Sequence, residues 1–338
     1  MPRFITQLRD RITHGPPRTV LFPEAGDERV LEAANILARE GIVRPLLICE
    51  SRAAATLETG GLDSIVIDET LAYALQETLR TVRSSKVGTA DELHPDAAFA
   101  LAHDPLFYGM YLLRMGKADG LVAGAVRTTA DVGRAGLWLI GKAPGIQTVS
   151  SAMYMVVPPF RATAEAEVLT FADCAVVPDP SSEQLADIAI ASADARSSIV
   201  GDAPRVAMLS YSTKGSGGDR SSTLALRKAM ALVREKRPDI MVDGELQADA
   251  ALVKSIADRK APGSSLSGAA NVLIFPSLDA ANIAYKLVAT LVPGAQAIGP
   301  ILQGFAKPMS DLSRGATVED IVSVATIVAA QVPSASSS

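Results

Sequence analysis

The chain is predicted to be an α/β protein of two three-layer domains with mainly parallel sheets. Three observations lead there. At 338 residues it exceeds the size at which a single hydrophobic core stops growing. Hydrophobic residues make up 48% of it but aromatic ones only 4%, so its cores are built from Ala, Val, Leu and Ile. Short apolar runs alternate with longer helical patterns almost throughout, which indicates parallel strands buried on both faces between crossover helices.

Taken in order, the elements follow from local patterns. The N-terminal stretch carries Arg3, Arg9, Asp10 and Arg11 in an amphipathic arrangement, not the apolar core of a secretion signal. Thr19–Phe22 reads as a strand, 24–28 as a turn, 29–39 as an Ala/Leu helix and Arg44–Cys49 as the next strand. Runs 120–124, 205–210 and 271–275 are further buried-strand candidates, each followed by Gly, Ser or Pro turn chemistry. Gly, Pro and hydroxyl residues cluster at 142–161, which sets a domain boundary near residue 150. The expected division is 1–150 plus a C-terminal helix at 316–333 for one domain, and 151–315 for the other. The last helix, beginning at Val318, is apolar nearly all round and is expected to be buried. The tail 334–338 is expected to be disordered.

Charge and cysteine usage exclude several classes. A net charge of −5 argues against a general nucleic-acid binder, so an anionic substrate must be held by a local arginine cluster. Cys49 and Cys174 match no metal spacing and no disulfide framework, and reduced cytoplasmic thiols are expected. The most membrane-like run, 143–160, contains three prolines and Gln147, so a soluble protein is expected. The three histidines are isolated, which gives neither a histidine triad nor a metal site any support.

Several motifs have both a chemical and a plain structural reading. Lys214-Gly215-Ser216-Gly217-Gly218 follows a strand, and its amides could cradle a phosphate. The segment fails the P-loop and dinucleotide spacings and also reads as a flexible turn. Gly124 to Arg134, with Thr129 inside it, looks like a loop leaving a strand and entering a helix, where amides and an arginine hold anions. Arg134 is otherwise a solvated surface residue, and Arg83 faces the same alternative. Cys174 reads as a buried inert thiol rather than a nucleophile. Near the C-terminus a hydroxyl (Ser313), a guanidinium (Arg314) and a carboxylate (Asp320) gather around a helix start. Thr317-Val318-Glu319-Asp320 also fits a capping box, with Thr317 as N-cap.

The stretch Asp311-Leu312-Ser313-Arg314-Gly315 resembles the signature of phosphate acetyltransferases. Further matching blocks are Leu21-Phe22-Pro23-Glu24-Ala25-Gly26-Asp27-Glu28-Arg29-Val30-Leu31, the Gly124 to Arg134 loop, Asp243-Gly244-Glu245-Leu246-Gln247 and Lys260-Ala261-Pro262-Gly263-Ser264. The resemblance implies an isocitrate/isopropylmalate dehydrogenase-like fold with the active site in the interdomain cleft, and a homodimer. It implies no permanently bound cofactor and no metal, with coenzyme A and acetyl phosphate (or acetyl-CoA and phosphate) as substrates. Ser313, Arg314 and Asp320 match the family's catalytic residues, and Arg134 and Arg83 match arginines associated with coenzyme A. Thr129, Ser212, Lys214 and Gly215 complete the expected substrate-binding set. Ala316 departs from the family, many of whose members carry cysteine there.

The implied mechanism is direct attack of the coenzyme A thiolate on the acetyl carbonyl. Reference pKa values of about 3.9 for a carboxylate and about 8.5 for a thiol leave a gap of roughly 6 kcal/mol that the site must narrow. Desolvating the carboxylate and placing a cation near the sulfur both narrow it. Arg314 is expected to clamp the phosphate, and Ser313 to donate to the developing oxyanion. Alternatives are a butyryl-preferring relative, an oxidoreductase on the related fold and a non-catalytic regulatory module.

Overall fold

The computed structural model describes residues 2–49, 61–87, 93–161 and 164–332, and of 83–87 the backbone alone. The expected tail at 334–338 therefore lies outside the described residues. The chain forms two compact units, one of residues 1–144 and 305–338 and the other of 145–304.

The first unit is built on a five-stranded parallel sheet. Its strands are β1 (Thr19–Phe22), β2 (Arg44–Cys49), β3 (Ser64–Val66), β4 (Gly120–Ala123) and β11 (Met309–Asp311), in the order β11-β4-β1-β2-β3. The expected strands at Thr19 and Arg44 form over those very residues because both are short apolar runs bounded by turn chemistry. Helices α1 (Arg3–Thr13), α2 (Glu28–Arg39) and the C-terminal α12 (Val318–Ala330) pack together on the sheet. A second group contains α3 (Glu69–Val87), α4 (Pro95–Ala102), α5 (Pro105–Arg114) and α6 (Thr129–Leu139). The two groups cover different faces. A side chain at Gly120 would run into Val328 of α12, whereas its neighbour Leu121 points at Gly109 of α5. Successive strand residues face opposite ways, so the sheet lies between the groups.

As its composition suggested, α12 is buried continuously from Ile321 to Ala329. Residues 305–315, expected with the second half of the sequence, belong to the first unit instead. The reason is β11, whose Met309, Ser310 and Asp311 register in parallel with Leu121, Val122 and Ala123.

The second unit has a six-stranded mixed sheet. Strands β5 (Ser150–Val157), β6 (Glu167–Ala172), β7 (Arg205–Leu209), β8 (Met241–Leu246), β9 (Val272–Ile274) and β10 (Gln296–Gln303) take the order β10-β5-β6-β9-β7-β8. The pairings among β6, β9, β7 and β8 are parallel, while β5 runs antiparallel to both β6 and β10. The most membrane-like run, 143–160, thus supplies β5, a strand buried along its whole length. Helices α7 (Ser182–Ile199) and α8 (Ser221–Lys236) pack against each other. The short α9 (Ala248–Leu252) and α10 (Lys254–Lys260) follow β8, and α11 (Leu278–Leu291) packs on β5, β6 and β10. Among the described residues no helix is long and apolar enough to cross a membrane.

Candidate active site

The C-terminal ends of β1, β4 and β11 feed three loops of the first unit, at the sheet edge where open α/β folds hold ligands. The loop after β11 begins with Leu312 N–H donating to the Ala123 carbonyl at 2.8 Å, which carries the pairing one residue past the strand. A turn follows, closed by Ala316 N–H to the Ser313 carbonyl at 2.8 Å. Ser313 and Arg314 are both exposed on it. The Ser313 hydroxyl accepts from Gly315 N–H at 3.3 Å. The Arg314 guanidinium makes no ion pair among the described residues.

Asp320 sits in the first turn of α12 and forms the capping box anticipated from its spacing. Its Oδ2 accepts from Thr317 N–H at 2.9 Å and from the Thr317 hydroxyl at 2.8 Å, while Asp320 N–H donates to Thr317 Oγ1 at 3.2 Å. The carboxylate remains half-buried rather than sealed, so capping has fixed its position without closing it off.

The turn between β4 and α6 holds an anion, but the anion is the protein's own. Glu24 Oε2 accepts from the N–H groups of Gly124 (2.9 Å) and Ala125 (2.8 Å), and Oε1 from those of Val126 (3.0 Å) and Arg127 (2.8 Å). The amides expected to cradle substrate are therefore already taken by a carboxylate from the β1–α2 turn. Gly124 is required here, because its φ of +106° suits glycine and a side chain would collide with Asp311 and the Leu312 backbone.

Past this turn, Thr128 caps α6 by accepting from Asp131 N–H at 3.2 Å. The Thr129 hydroxyl donates to Asp311 Oδ2 at 2.5 Å. Arg134 pairs with Asp131 and is about half exposed, at 48%. The side chain of Arg83 lies outside the described residues.

Asp311 and Arg29 were not singled out from the sequence, yet both organise this edge. Asp311 is fully buried, and its Oδ1 has no hydrogen-bond partner among the described residues. Burial pushes its carboxyl up to about 6, helped by the charge of Glu24 and opposed by the Thr129 hydroxyl. Arg29 donates from Nη1 to the carbonyls of Arg314 and Ala316, each at 2.9 Å, and from Nη2 to the Ala125 carbonyl at 3.0 Å. Its Nη2 also meets Asp27 Oδ2 at 2.7 Å, and Asp27 caps α2. One guanidinium thus ties the 124–127 turn to the 313–316 turn. A signal was present: an acid and a base flanking a Pro/Gly turn at a strand end, Pro23-Glu24-Ala25-Gly26-Asp27-Glu28-Arg29. Beside it opens a cavity of about 630 Å³, bordered by Glu24, Ile48, Pro105, Leu106 and Arg127.

Ser212, Lys214 and Gly215 lie on the β7–α8 turn of the second unit. Their polar groups are engaged inside that unit. Ser212 Oγ donates to Glu245 Oε1 at 2.9 Å, and Gly215 N–H donates to the same oxygen at 2.7 Å. The Lys214 ammonium pairs with buried Asp243 and is 38% exposed. Arg227 completes the group, with Nε at 2.9 Å from Glu245 Oε2. Burial raises the pKa of the Glu245 carboxyl, but Arg227, Gly215 and Ser212 outweigh it and hold the group at about 2. Cys174 is buried just after β6 and donates to the Phe171 carbonyl at 3.2 Å, and burial pushes its thiol far up, as suits an inert residue.

Comparison with known proteins identifies the family of the chain. The phosphate acetyl/butaryl transferase family model matches residues 3–329. A phosphate acetyltransferase of Acetivibrio thermocellus is 42% identical over 333 residues, covering 97% of this chain and 98% of its own. Among solved structures, a phosphotransacetylase from Streptococcus pyogenes superimposes with a TM-score of 0.87 at 37% identity, covering 97% of this chain and 98% of that one. A 4-hydroxythreonine-4-phosphate dehydrogenase from Klebsiella pneumoniae shares the fold alone, with a TM-score of 0.51 at 13% identity over 94% of this chain and 100% of that one.

Proposed function

This chain belongs to the phosphate acetyl/butaryl transferase family and is an acyltransferase, and on that premise we propose that it interconverts acetyl-CoA and phosphate with coenzyme A and acetyl phosphate. The observation that carries this reading is the exposed Ser313–Arg314 pair, held one turn ahead of a half-buried Asp320. Each group suits one need of the reaction. Arg314 has a guanidinium with no ion pair among the described residues, available for the phosphoryl oxygens. Ser313 offers a hydroxyl to the oxygen that gains charge as the carbonyl is attacked. Asp320 accepts the thiol proton, after which the thiolate attacks the acetyl carbon and phosphate leaves with the bonding pair. A cation beside the sulfur lowers the cost of that proton transfer.

Thr129 and Arg134 are the substrate contacts proposed on α6, with Arg134 leaving Asp131 for a coenzyme A phosphate. In the second unit the half-exposed Lys214 is the proposed contact, while Ser212 and Gly215 shape its turn. Coenzyme A is a substrate here, not a resident cofactor. Two further readings are proposed. A homodimer is supported by Ile283, Leu287 and Leu291, spaced four apart along α11 and 58%, 51% and 70% exposed. A cytoplasmic location is supported by Cys174, a buried free thiol. The test is thioester formation by purified protein given coenzyme A and acetyl phosphate. Turnover with butyryl phosphate in place of acetyl phosphate would instead favour the longer-chain reaction.

A further inference from the structure

Glu24 is the one carboxylate of the β1–α2 turn that points into another loop. Its two oxygens accept four main-chain N–H groups in succession, from Gly124 to Arg127. Four successive amides aimed at one point form an anion site by their own geometry. Two residues further on, Thr129 donates to Asp311, the residue that opens the 311–316 loop. Arg29, at the other end of the same turn, holds the carbonyls of Ala125, Arg314 and Ala316. The segment 24–29 therefore presents an anion to the donors of one loop and a cation to the acceptors of both. If the 124–127 turn shifts, Thr129 moves off Asp311 and one of the three carbonyls leaves Arg29, so the error passes to Ser313 and Arg314.

We propose that Glu24 is a positioning residue for the acyl transfer: its carboxylate, seated on the amides of 124–127, sets Thr129 against Asp311 and thereby the turn that carries Ser313 and Arg314. The inference rests on the reaction proposed above. It differs from a purely structural role because the interaction is replaceable. Glu24 lines a cavity of about 630 Å³, so removing its side chain opens the four amides to small solutes. Formate has the same planar pair of oxygens as the lost carboxylate and fits that gap. A glutamine does not substitute for it. Its single carbonyl oxygen can serve two of the four donors, and its NH₂ group then faces the other two.

The experiment compares Glu24→Ala and Glu24→Gln with the unaltered protein, with and without formate and with chloride at matched ionic strength. Turnover is one readout, and hydrogen exchange of the backbone across 120–131 is the other. For Glu24→Ala, kcat/KM is expected to fall about 100-fold, the scale of a small misplacement of reacting groups. Formate should restore part of it saturably while leaving the unaltered protein unchanged. Glu24→Gln should lose activity without rescue, since its side chain still fills the gap. Exchange protection at 124–127 should drop in Glu24→Ala and return with formate. A folded Glu24→Ala with unaltered kinetics would overturn the proposal, and so would a loss that formate does not restore. If the unaltered protein forms no acetyl-CoA, the reading of the reaction fails instead, and the exchange data alone then decide whether Glu24 holds the turn.

Discussion

The turn at 124–127 receives Glu24, and the turn at 212–217 receives Glu245, yet among the described residues only the second carboxylate is also hydrogen-bonded by a guanidinium. Glu245 is 1% exposed and takes Arg227, the Ser212 hydroxyl and the Gly215 amide together. A charge buried to that degree needs a counter-charge and filled lone pairs, or it neutralises. Glu24 is half-buried beside a cavity, so four amides suffice. The same device, an internal carboxylate in a post-strand turn, thus serves different ends. In the second unit it fixes a turn from within, by filling the buried side of the 212–217 segment. In the first it holds one loop beside another whose Ser313 and Arg314 stay exposed.

Asp320→Asn should give the largest effect and is the most direct way to break this comparison. Asparagine still accepts from Thr317 N–H, so the capping box and fold should survive with a small stability change. It cannot take a thiol proton, and kcat should fall by about 10²–10⁴-fold. Raising the pH should recover part of the rate, because coenzyme A then supplies its own thiolate. A destabilised variant with normal turnover per folded molecule would assign Asp320 to the cap alone and remove the chemistry from the first unit.

The pH dependence of stability sharpens the contrast, because Asp311 and Glu245 work in opposite directions. Asp311 has its folded pKa raised to about 6, so the folded state binds the extra proton. Its contribution is present at low pH and is lost as pH rises from the ordinary carboxylate range through about 6. The loss is on the order of 3 kcal/mol at neutral pH. Asp311→Asn is neutral throughout, so denaturant titrations should show it gaining on the unaltered protein over that window. A constant difference from pH 4 to 7 would mean that Asp311 is not a buried titrating group.

Arg134→Ala comes next, at roughly 10- to 100-fold in the KM for coenzyme A, the worth of a hydrogen bond to a charged group. The KM for acetyl phosphate and kcat should change less, since a contact remote from the reacting carbon binds ground and transition states alike. Equal effects on both substrates, read from initial rates, would place Arg134 in the structure or at the acetyl phosphate.

Glu245→Gln should have the smallest effect on the chemistry. With an oxygen removed from Arg227, Ser212 and Gly215, stability should drop by roughly 1–3 kcal/mol, while turnover per folded molecule is kept. Its folded pKa is lowered to about 2, so the stabilisation is present above the ordinary glutamate range and lost as pH falls towards 2. The deficit of the variant, read by denaturant midpoint, should therefore shrink in acid. A loss of turnover greater than the loss of folded protein would give the second turn a functional role equal to the first.

The elements that the sequence determined by itself are those whose cause is local. The strands Thr19–Phe22 and Arg44–Cys49 are short apolar runs between turn residues, and the Thr317/Asp320 capping box is a spacing of three. The proposed roles of Ser313, Arg314 and Asp320 come from resemblance instead, carried by eight consecutive residues that hold all three. Antiparallel β5 and β10 were not legible, because an apolar run flanked by proline reads equally as several things until a partner strand pairs with it. Only the tertiary structure decided which charges meet. Glu24 reaches amides 100 or more residues away, and Arg29 a carbonyl 285 residues on. No periodicity or motif encodes such pairings. They exist because parallel strands bring their C-terminal loops to one edge, and a buried or half-buried charge there must find a partner or pay for its lost water.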